Sequence, residues 1–310
     1  VVFMSYAMQV VMGFLLMGAL FIVLPRTMVS AKRINQVLDL HSSIQNPAQA
    51  QQADENLKGQ VEFKDVTFRY VVNSEAVIEH VSFRAEAGQT MAFIGSTGSG
   101  KSTLVNLIPR FYDVSAGEIL VDGVNVQDYD LEDLRNKVGY IPQKAVLFSG
   151  EVKGNLDFGQ SQETPLSEQA MWQALELAQS KNFIEDKEAG LASEVAQGGT
   201  NFSGGQRQRL AIARALARKP EILIFDDSFS ALDYKTDRVL RQELAEKTKS
   251  MTKLIVAQRI STIMDADLIL VLDQGKVVGQ GTHKELLDNN EVYQEIAYSQ
   301  LSKEELEHGK

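Results

Sequence analysis

The stretch from Val1 to Leu24 carries no charged side chain. A helix crosses roughly 30 Å of hydrocarbon in about 20 residues, so this run is long enough to span a membrane. A signal peptide would place basic residues before the apolar run and a small-residue cleavage site after it, and neither is present. Arg26, Lys32 and Arg33 follow at once, which orients the C-terminal side toward the cytoplasm. Apolar Met28, Ile34, Val37, Leu38 and Leu40 then alternate with polar positions, as in a helix leaving the bilayer, with a kink expected at Pro25. The chain starts at Val1, inside the apolar run, and reads as a segment whose upstream part is missing. Residues 1–40 are therefore expected to be a last transmembrane helix with its cytoplasmic extension. Residues 41–59, rich in Ser, Gln, Asn, Ala and Pro, read as a linker.

From Gln60 the period changes. Val61–Tyr70 alternates as a half-buried strand, and Val77–Phe83 and Thr90–Gly95 read as further strands. Lys101–Ile108, Pro165–Phe183 and Gln206–Arg218 carry helical spacing, and Glu118–Val121 is a strand. Glu221–Phe225 and Lys253–Ala257 are short, almost wholly apolar strands, followed by a pair, Leu268–Leu272 and Lys276–Gly279. Apolar strands alternating with helices imply a parallel sheet covered on both faces. Residues 60–300 are expected to form one domain and 301–310 a charged tail.

The formal net charge is −10, which argues against nucleic acid as a partner, since phosphate neutralisation needs the opposite sign. Cysteine is absent, which removes disulfides, thiolate metal sites and cysteine nucleophiles.

One segment carries a phosphate-binding chemistry. Gly95-Ser96-Thr97-Gly98-Ser99-Gly100-Lys101-Ser102 fits G-x-x-x-x-G-K-[ST] between a strand and a helix, with Thr103 next in the helix. Glycines let consecutive N–H groups face a phosphate without a Cβ in the way, and the helix start adds a positive dipole end. Lys101 would reach the β- and γ-phosphates of a nucleotide, and Ser102 would ligate Mg²⁺. A phosphate loop alone suits a kinase, a GTPase or a motor equally well.

Downstream, Phe202-Ser203-Gly204-Gly205-Gln206 resembles the LSGGQ signature of ABC ATPases, with Phe202 where Leu is usual. Ile222–Asp226 looks like a Walker B strand ending in a magnesium-ordering carboxylate, and Ser230-Ala231-Leu232-Asp233 resembles the D-loop. Gln143, after Tyr140-Ile141-Pro142, resembles the glutamine that touches the metal and answers to the membrane domain, and Tyr70 resembles the aromatic that stacks on adenine. The resemblance implies a P-loop NTPase of the α/β class: a RecA-like parallel core with antiparallel β and helical subdomains, preceded by one transmembrane helix. It also implies ATP and Mg²⁺ as ligands, and a second half-transporter whose nucleotide faces this chain's signature segment. A bilayer location follows, multi-pass in the full-length protein and with the ATPase domain in the cytoplasm. The cargo implied is a small amphipathic compound such as a drug or lipid. Methionines 4, 8, 12 and 17 enrich the apolar run, where lipid-facing or helix packing accounts for them better than a promiscuous cavity.

Two positions depart from the family, both at the chemistry. Asp227 stands where the family has the glutamate that polarises the attacking water, and Gln258 stands where it has the switch histidine. A carboxylate one methylene shorter is withdrawn by roughly 1.5 Å, and about 1 Å of misplacement can cost on the order of 10²-fold in rate. A glutamine amide donates a hydrogen bond but cannot become cationic. Gln197-Gly198-Gly199-Thr200 also departs, lacking the glutamate common before the signature. The expectation is a subunit whose own site binds Mg·ATP and hydrolyses it slowly, paired in a heterodimer like the degenerate-site subunits of bacterial multidrug exporters. A homodimeric exporter, a regulatory ATP-binding module and a soluble ABC ATPase of DNA repair or translation are the alternatives. The apolar run and acidic charge disfavour the last.

Overall fold

The computed structural model describes residues 2–159 and 165–301. Two compact units meet in sequence at Gln45 and Asn46. The first is dominated by helix α1 (Val2–Leu38), which passes through Pro25 without interruption. It is long and apolar enough to cross a membrane, and none of its residues is buried.

The second unit is built from strands β1 (Val61–Phe68), β2 (Ile78–Ala85), β3 (Thr90–Gly95), β4 (Ala116–Val121), β5 (Val124–Asn125), β6 (Val138–Ile141), β7 (Gly150–Glu151), β8 (Glu194–Val195), β9 (Ile222–Asp226), β10 (Thr252–Val256), β11 (Leu268–Asp273) and β12 (Lys276–Gly281). Its main sheet has the order β12-β11-β3-β10-β9-β6, parallel throughout except for the antiparallel edge strand β12. An antiparallel sheet, β2-β1-β4-β5, forms a second layer, and β7 pairs with β8 in a two-residue ribbon.

Alternation along the central strands explains why they read as continuous apolar runs. In β9, Ile222 and Ile224 face a core shared with the antiparallel sheet, while Leu223 and Phe225 face the helices on the other side. Leu254 and Val256 against Ile255 repeat the pattern in β10. A strand buried on both faces has no polar side to show.

Helices α2 (Lys101–Asn106) and α3 (Leu131–Lys137) follow β3 and precede β6. The short α4 (Val152–Leu156), α5 (Glu168–Leu177), α6 (Lys181–Glu185) and α7 (Gly204–Ala217) follow β6, and α5 packs on α7. The helical stretch expected over 165–183 is thus two helices, broken where Gln179 takes φ 55 and Ser180 is fully buried. After β9 comes α8 (Tyr234–Lys247), a polar helix that buries only Asp237, Leu240 and Leu244. Then come α9 (Ile260–Ile263), α10 (His283–Asn289) and α11 (Glu291–Gln300). The charged tail lies, from residue 302 on, outside the described residues.

The stretch read as a linker, 41–59, is bound to the second unit from Asn46 onward. Asn46 Nδ2 donates to Asp130 Oδ2 at 2.6 Å, Gln51 N to Asp128 O at 2.9 Å, and Asp54 N to Asp122 O at 3.2 Å. Composition hides this, because short polar side chains bind loop atoms as readily as water. The same region closes on a buried charge cluster. Asp122, fully buried, accepts from Gly59 N at 2.6 Å and from Lys137 Nζ at 2.8 Å, and Lys137 also reaches Glu221 at 2.8 Å. Burial alone would lower the Lys137 pKa, but the bonds to Asp122 and Glu221 push it above the ordinary lysine range. Removing one partner of a buried ion pair leaves the other uncompensated. Asp122→Ala is therefore expected to destabilise this unit by about 3 kcal/mol, read as a lowered unfolding midpoint of the single tryptophan, Trp172.

Candidate functional site

The glycine loop runs from the carboxyl end of β3 into α2, and two of its glycines are dictated by close neighbours. At Gly95 a Cβ would lie 2.0 Å from the Leu272 carbonyl oxygen of β11. Gly100 has φ 95, and a Cβ there would meet Ile78 Cδ1 at 2.7 Å and Val77 O at 2.9 Å. Gly98, at φ 83, has open space around it, so only the turn requires glycine there. Ser96 and Thr97 are exposed, whereas Ser99 is buried. Lys101 Nζ lies back over the loop, donating to Gly95 O at 2.8 Å, Ser96 O at 2.7 Å and Ser99 Oγ at 3.2 Å. Burial lowers its pKa, against the upward pull of Asp227 and Asp226.

Parallel register brings the carboxylates to this loop. Val256 of β10 pairs with Phe93 on one side and Asp226 on the other, so β9 and β10 end level with each other, and β3 runs two residues further to Gly95. Ser102 Oγ donates to Asp226 Oδ1 at 2.6 Å, and Tyr140 OH donates to Asp226 Oδ2 at 3.0 Å. Burial, then Asp226, raises the Tyr140 pKa far above the phenol value, so it stays a donor. This tyrosine was part of a quoted motif but had no expected role. The signal available for it is its position on β6, opposite Ile224 of β9.

Asp227 joins the two positions that depart from the family to the glutamine after β6. Its Oδ2 accepts from Gln143 Nε2 at 3.0 Å and from Gln258 Nε2 at 2.8 Å. Its backbone sits at φ 49, with its N–H bonded to Val256 O at 3.0 Å. Burial raises its pKa; the Gln143 bond opposes the shift and neighbouring Asp226 adds to it. Ser102 and Asp226, joined by their hydrogen bond, and Gln143, bonded to the adjacent Asp227, carry oxygens of the kind that could hold Mg²⁺ alongside nucleotide phosphates.

Tyr70 is half exposed, its ring edge-on to Phe68 and Tyr112 at 4.8 and 5.2 Å. Its hydroxyl shares a 3.0 Å hydrogen bond with Thr103 Oγ1, which ties this aromatic to the first turn after the loop.

The signature segment starts α7. Ser203 Oγ accepts from Gln206 N at 3.2 Å, and Gln206 Oε1 accepts from Ser203 N at 2.9 Å, a reciprocal cap. Ser203 and Gly204 are exposed, and a Cβ on Gly204 would meet nothing within 4 Å. Among the described residues no hydrogen bond links 203–206 to the loop 95–103. The Phe202 side chain points away from the exposed face of this segment. Its ring is 3% exposed and packs on Phe183, with Lys187 Nζ 4.7 Å from its centroid, so the side chain is part of the core. Gln208, which sequence reasoning passed over, donates to Pro142 O at 3.1 Å and ties α7 to the segment bearing Gln143. A glutamine inside a helical pattern gives no such signal.

Comparison with known proteins places this geometry among relatives. A protein-family profile described as "ABC transporter" matches residues 78–230. An uncharacterized ABC transporter ATP-binding protein of Mycobacterium tuberculosis is 45% identical over 300 residues, covering 97% of this chain and 51% of the relative. An ATP-dependent lipid A-core flippase of Mannheimia succiniciproducens is 40% identical over 277 residues, covering 89% of this chain and 46% of the relative. The solved structure of a bacterial Atm1-family ABC exporter with ATP bound superposes with a TM-score of 0.83 at 32% identity, covering 90% of this chain and 48% of the other. The chain thus spans about half the length of these relatives.

Phe202→Ala is expected to cost about 3–5 kcal/mol of stability, as for any large core aromatic, while the folded fraction keeps its nucleotide affinity. Phe202→Leu recovers most of the stability. Thermal unfolding with nucleotide titration reads both.

Proposed function

This chain carries an ABC transporter ATP-binding domain with exporter-type relatives, and on that premise we propose that it is the ATP-binding part of an exporter subunit whose own site binds Mg·ATP and turns it over slowly. The observation that carries the reading is the double amide contact on Asp227. In hydrolysis a bond forms between water oxygen and the γ-phosphorus, the bond to the bridging oxygen breaks, and the water's proton passes to an acceptor. Asp227 Oδ2 is occupied by two N–H donors, which leaves Oδ1, on a side chain one methylene short, as the acceptor. Gln258 supplies an amide where a cationic imidazole would stabilise phosphoryl charge better.

Binding is well provided for. Lys101 would leave the loop carbonyls for the β- and γ-phosphate oxygens, and Tyr70 offers a half-exposed ring for the base. Ser102 and Asp226 would hold Mg²⁺, with Gln143 Oε1 as a third contact, and the ion supplies charge neutralisation for the transferring phosphoryl group. The Ser203–Gln206 segment, exposed at Ser203 and Gly204, would complete the nucleotide site of a second half-transporter, which would supply the missing glutamate and histidine in a heterodimer. With the Ser203 and Gln206 N–H groups taken by the reciprocal cap, the N–H groups of Gly204 and Gly205 at the helix start are the ones that would face an anion.

The α1 helix supports a place in the cytoplasmic membrane, with the ATPase domain on the cytoplasmic side where Arg26, Lys32 and Arg33 lie. Similarity to a lipid A-core flippase and to a multidrug resistance protein of Entamoeba histolytica favours an amphipathic cargo.

The full-length protein, purified without a partner, is expected to hydrolyse ATP slowly. Asp227→Glu combined with Gln258→His should raise turnover by at least about tenfold, given the on-the-order-of 10²-fold cost of a misplaced base. In the complex with an intact partner, Ser203→Ala should lower turnover while Asp227→Asn changes it little. Brisk turnover by the lone protein, abolished by Asp227→Asn, would overturn the reading.

A further inference from the structure

A cavity of about 750 Å³ opens on the helical side of the parallel sheet, bounded by β9, β10, α8 and α9. Its floor is apolar: Phe225, Phe229, Leu244, Ile255 and Ala266, all buried. Volumes of roughly 300–1,000 Å³ suit small organic ligands, which bury most of their surface against apolar walls and are oriented by a few polar groups.

Among the polar side chains that line it, the buried cation is Lys253. Its side chain is directed to the helical side of β10, where the neighbouring inward positions are Ile255 and Ala257. It is 5% exposed, and Nζ donates to Thr248 O and to Met251 O, both at 3.0 Å. An ammonium has three donors, so one is left over. Among the described residues no carboxylate lies within ion-pair distance of it. Asp267, the carboxylate whose field acts on it, has its Oδ2 engaged by Thr90 N at 2.7 Å. Arg241, on the facing wall, is by contrast neutralised by Asp237 at 3.0 Å. Arg238 and Asp265 lie at the mouth, both exposed, and cancel each other in charge. Buried charges are ordinarily paired, because desolvation is costly otherwise. A buried ammonium with a spare donor, set above an apolar floor, is built to receive an anion carried on an apolar body.

We propose that this cavity binds a small amphipathic organic anion, its charged group on Lys253 Nζ and its apolar body against Phe225, Phe229 and Ile255. The ligand chemistry is a carboxylate or sulfonate on an aromatic or short alkyl frame. The walls are continuous with the proposed nucleotide site. Phe225 directly precedes Asp226, Phe229 closes the turn after Asp227, and Ser261 and Thr262 follow Gln258. Occupancy therefore reaches the segments that carry the carboxylates. This consequence rests on the function proposed above; the binding itself does not.

The test uses the full-length protein in lipid nanodiscs, with 2-naphthoate as probe. Acylation of Lys253 by acetic anhydride is quantified by peptide mass spectrometry, and the P-loop is read separately through nucleotide affinity. 2-Naphthoate is expected to protect Lys253 with half-saturation below about 1 mM, a modest affinity for one ion contact over an apolar floor. Neutral 2-naphthamide is expected to give none. Ala266→Trp, which fills part of the cavity and leaves the lysine itself unchanged, is expected to weaken protection by at least about tenfold and to leave nucleotide binding in place. Lys253→Met is expected to abolish saturable binding of 2-naphthoate in equilibrium dialysis. No protection at about 10 mM, equal protection by the amide, or protection unchanged in Ala266→Trp would each overturn the proposal. Loss of nucleotide binding in the unmodified protein would instead count against the ATPase reading and leave the cavity result standing.

Discussion

The parallel register of β10 between β3 and β9 is the constraint on which the site depends. Because Val256 pairs with both Phe93 and Asp226, the phosphate loop, the two carboxylates and the segment bearing Gln258 leave the same end of the sheet within two residues of one another. The glutamine segment after β6 joins them through the next ladder. Ligands of open α/β sheets gather outside the carboxyl ends of the strands for this reason. A slip of one residue would turn Phe225 and Ile255 from the helical core to the opposite one and carry Asp226 away from Ser102. The two separate hydrophobic cores hold the register, and the register holds the chemistry.

Much of this was legible in the sequence, for reasons that differ by element. Strands buried on both faces announce themselves as apolar runs, and β9 and β10 lie within a residue or two of their expected bounds. The glycine loop is legible because its chemistry is carried by the backbone, so few residue types can stand there. What stayed hidden is long-range and polar. The α8 helix buries three residues and shows no apolar stripe strong enough to find. The bond from Tyr140 to Asp226 and that from Gln208 to Pro142 join residues far apart in sequence, and neither leaves a periodic trace. Phe202 was placed by its neighbours in a motif, yet its ring belongs to the helical core. Motif membership says where a residue stands and not which way it points.

The buried polar groups divide into two kinds. Asp122, Lys137 and Glu221 form a satisfied cluster that ties the antiparallel sheet to the parallel one, and every charge there has a partner of opposite sign. Asp226 and Asp227 are neighbouring carboxylates whose contacts are hydroxyl and amide donors, with the Lys101 ammonium turned to loop carbonyls. The first arrangement is complete within the chain. The second leaves like charges side by side, an arrangement that a cation and a nucleotide would relieve.

The backbone of Asp227 adds a consequence of another kind. At φ 49 it occupies the left-handed region, which aspartate and asparagine enter several-fold more readily than most residues, since a short polar side chain can bond locally. A glutamate at the same turn would hold its carboxylate farther out at a greater conformational cost. Backbone strain of this kind is retained where a surrounding structure enforces it for function. The shorter residue therefore does more than shift an oxygen: it relaxes the turn. On the proposed reading of a site that turns ATP over slowly, such a turn would serve the holding of a nucleotide rather than its cleavage.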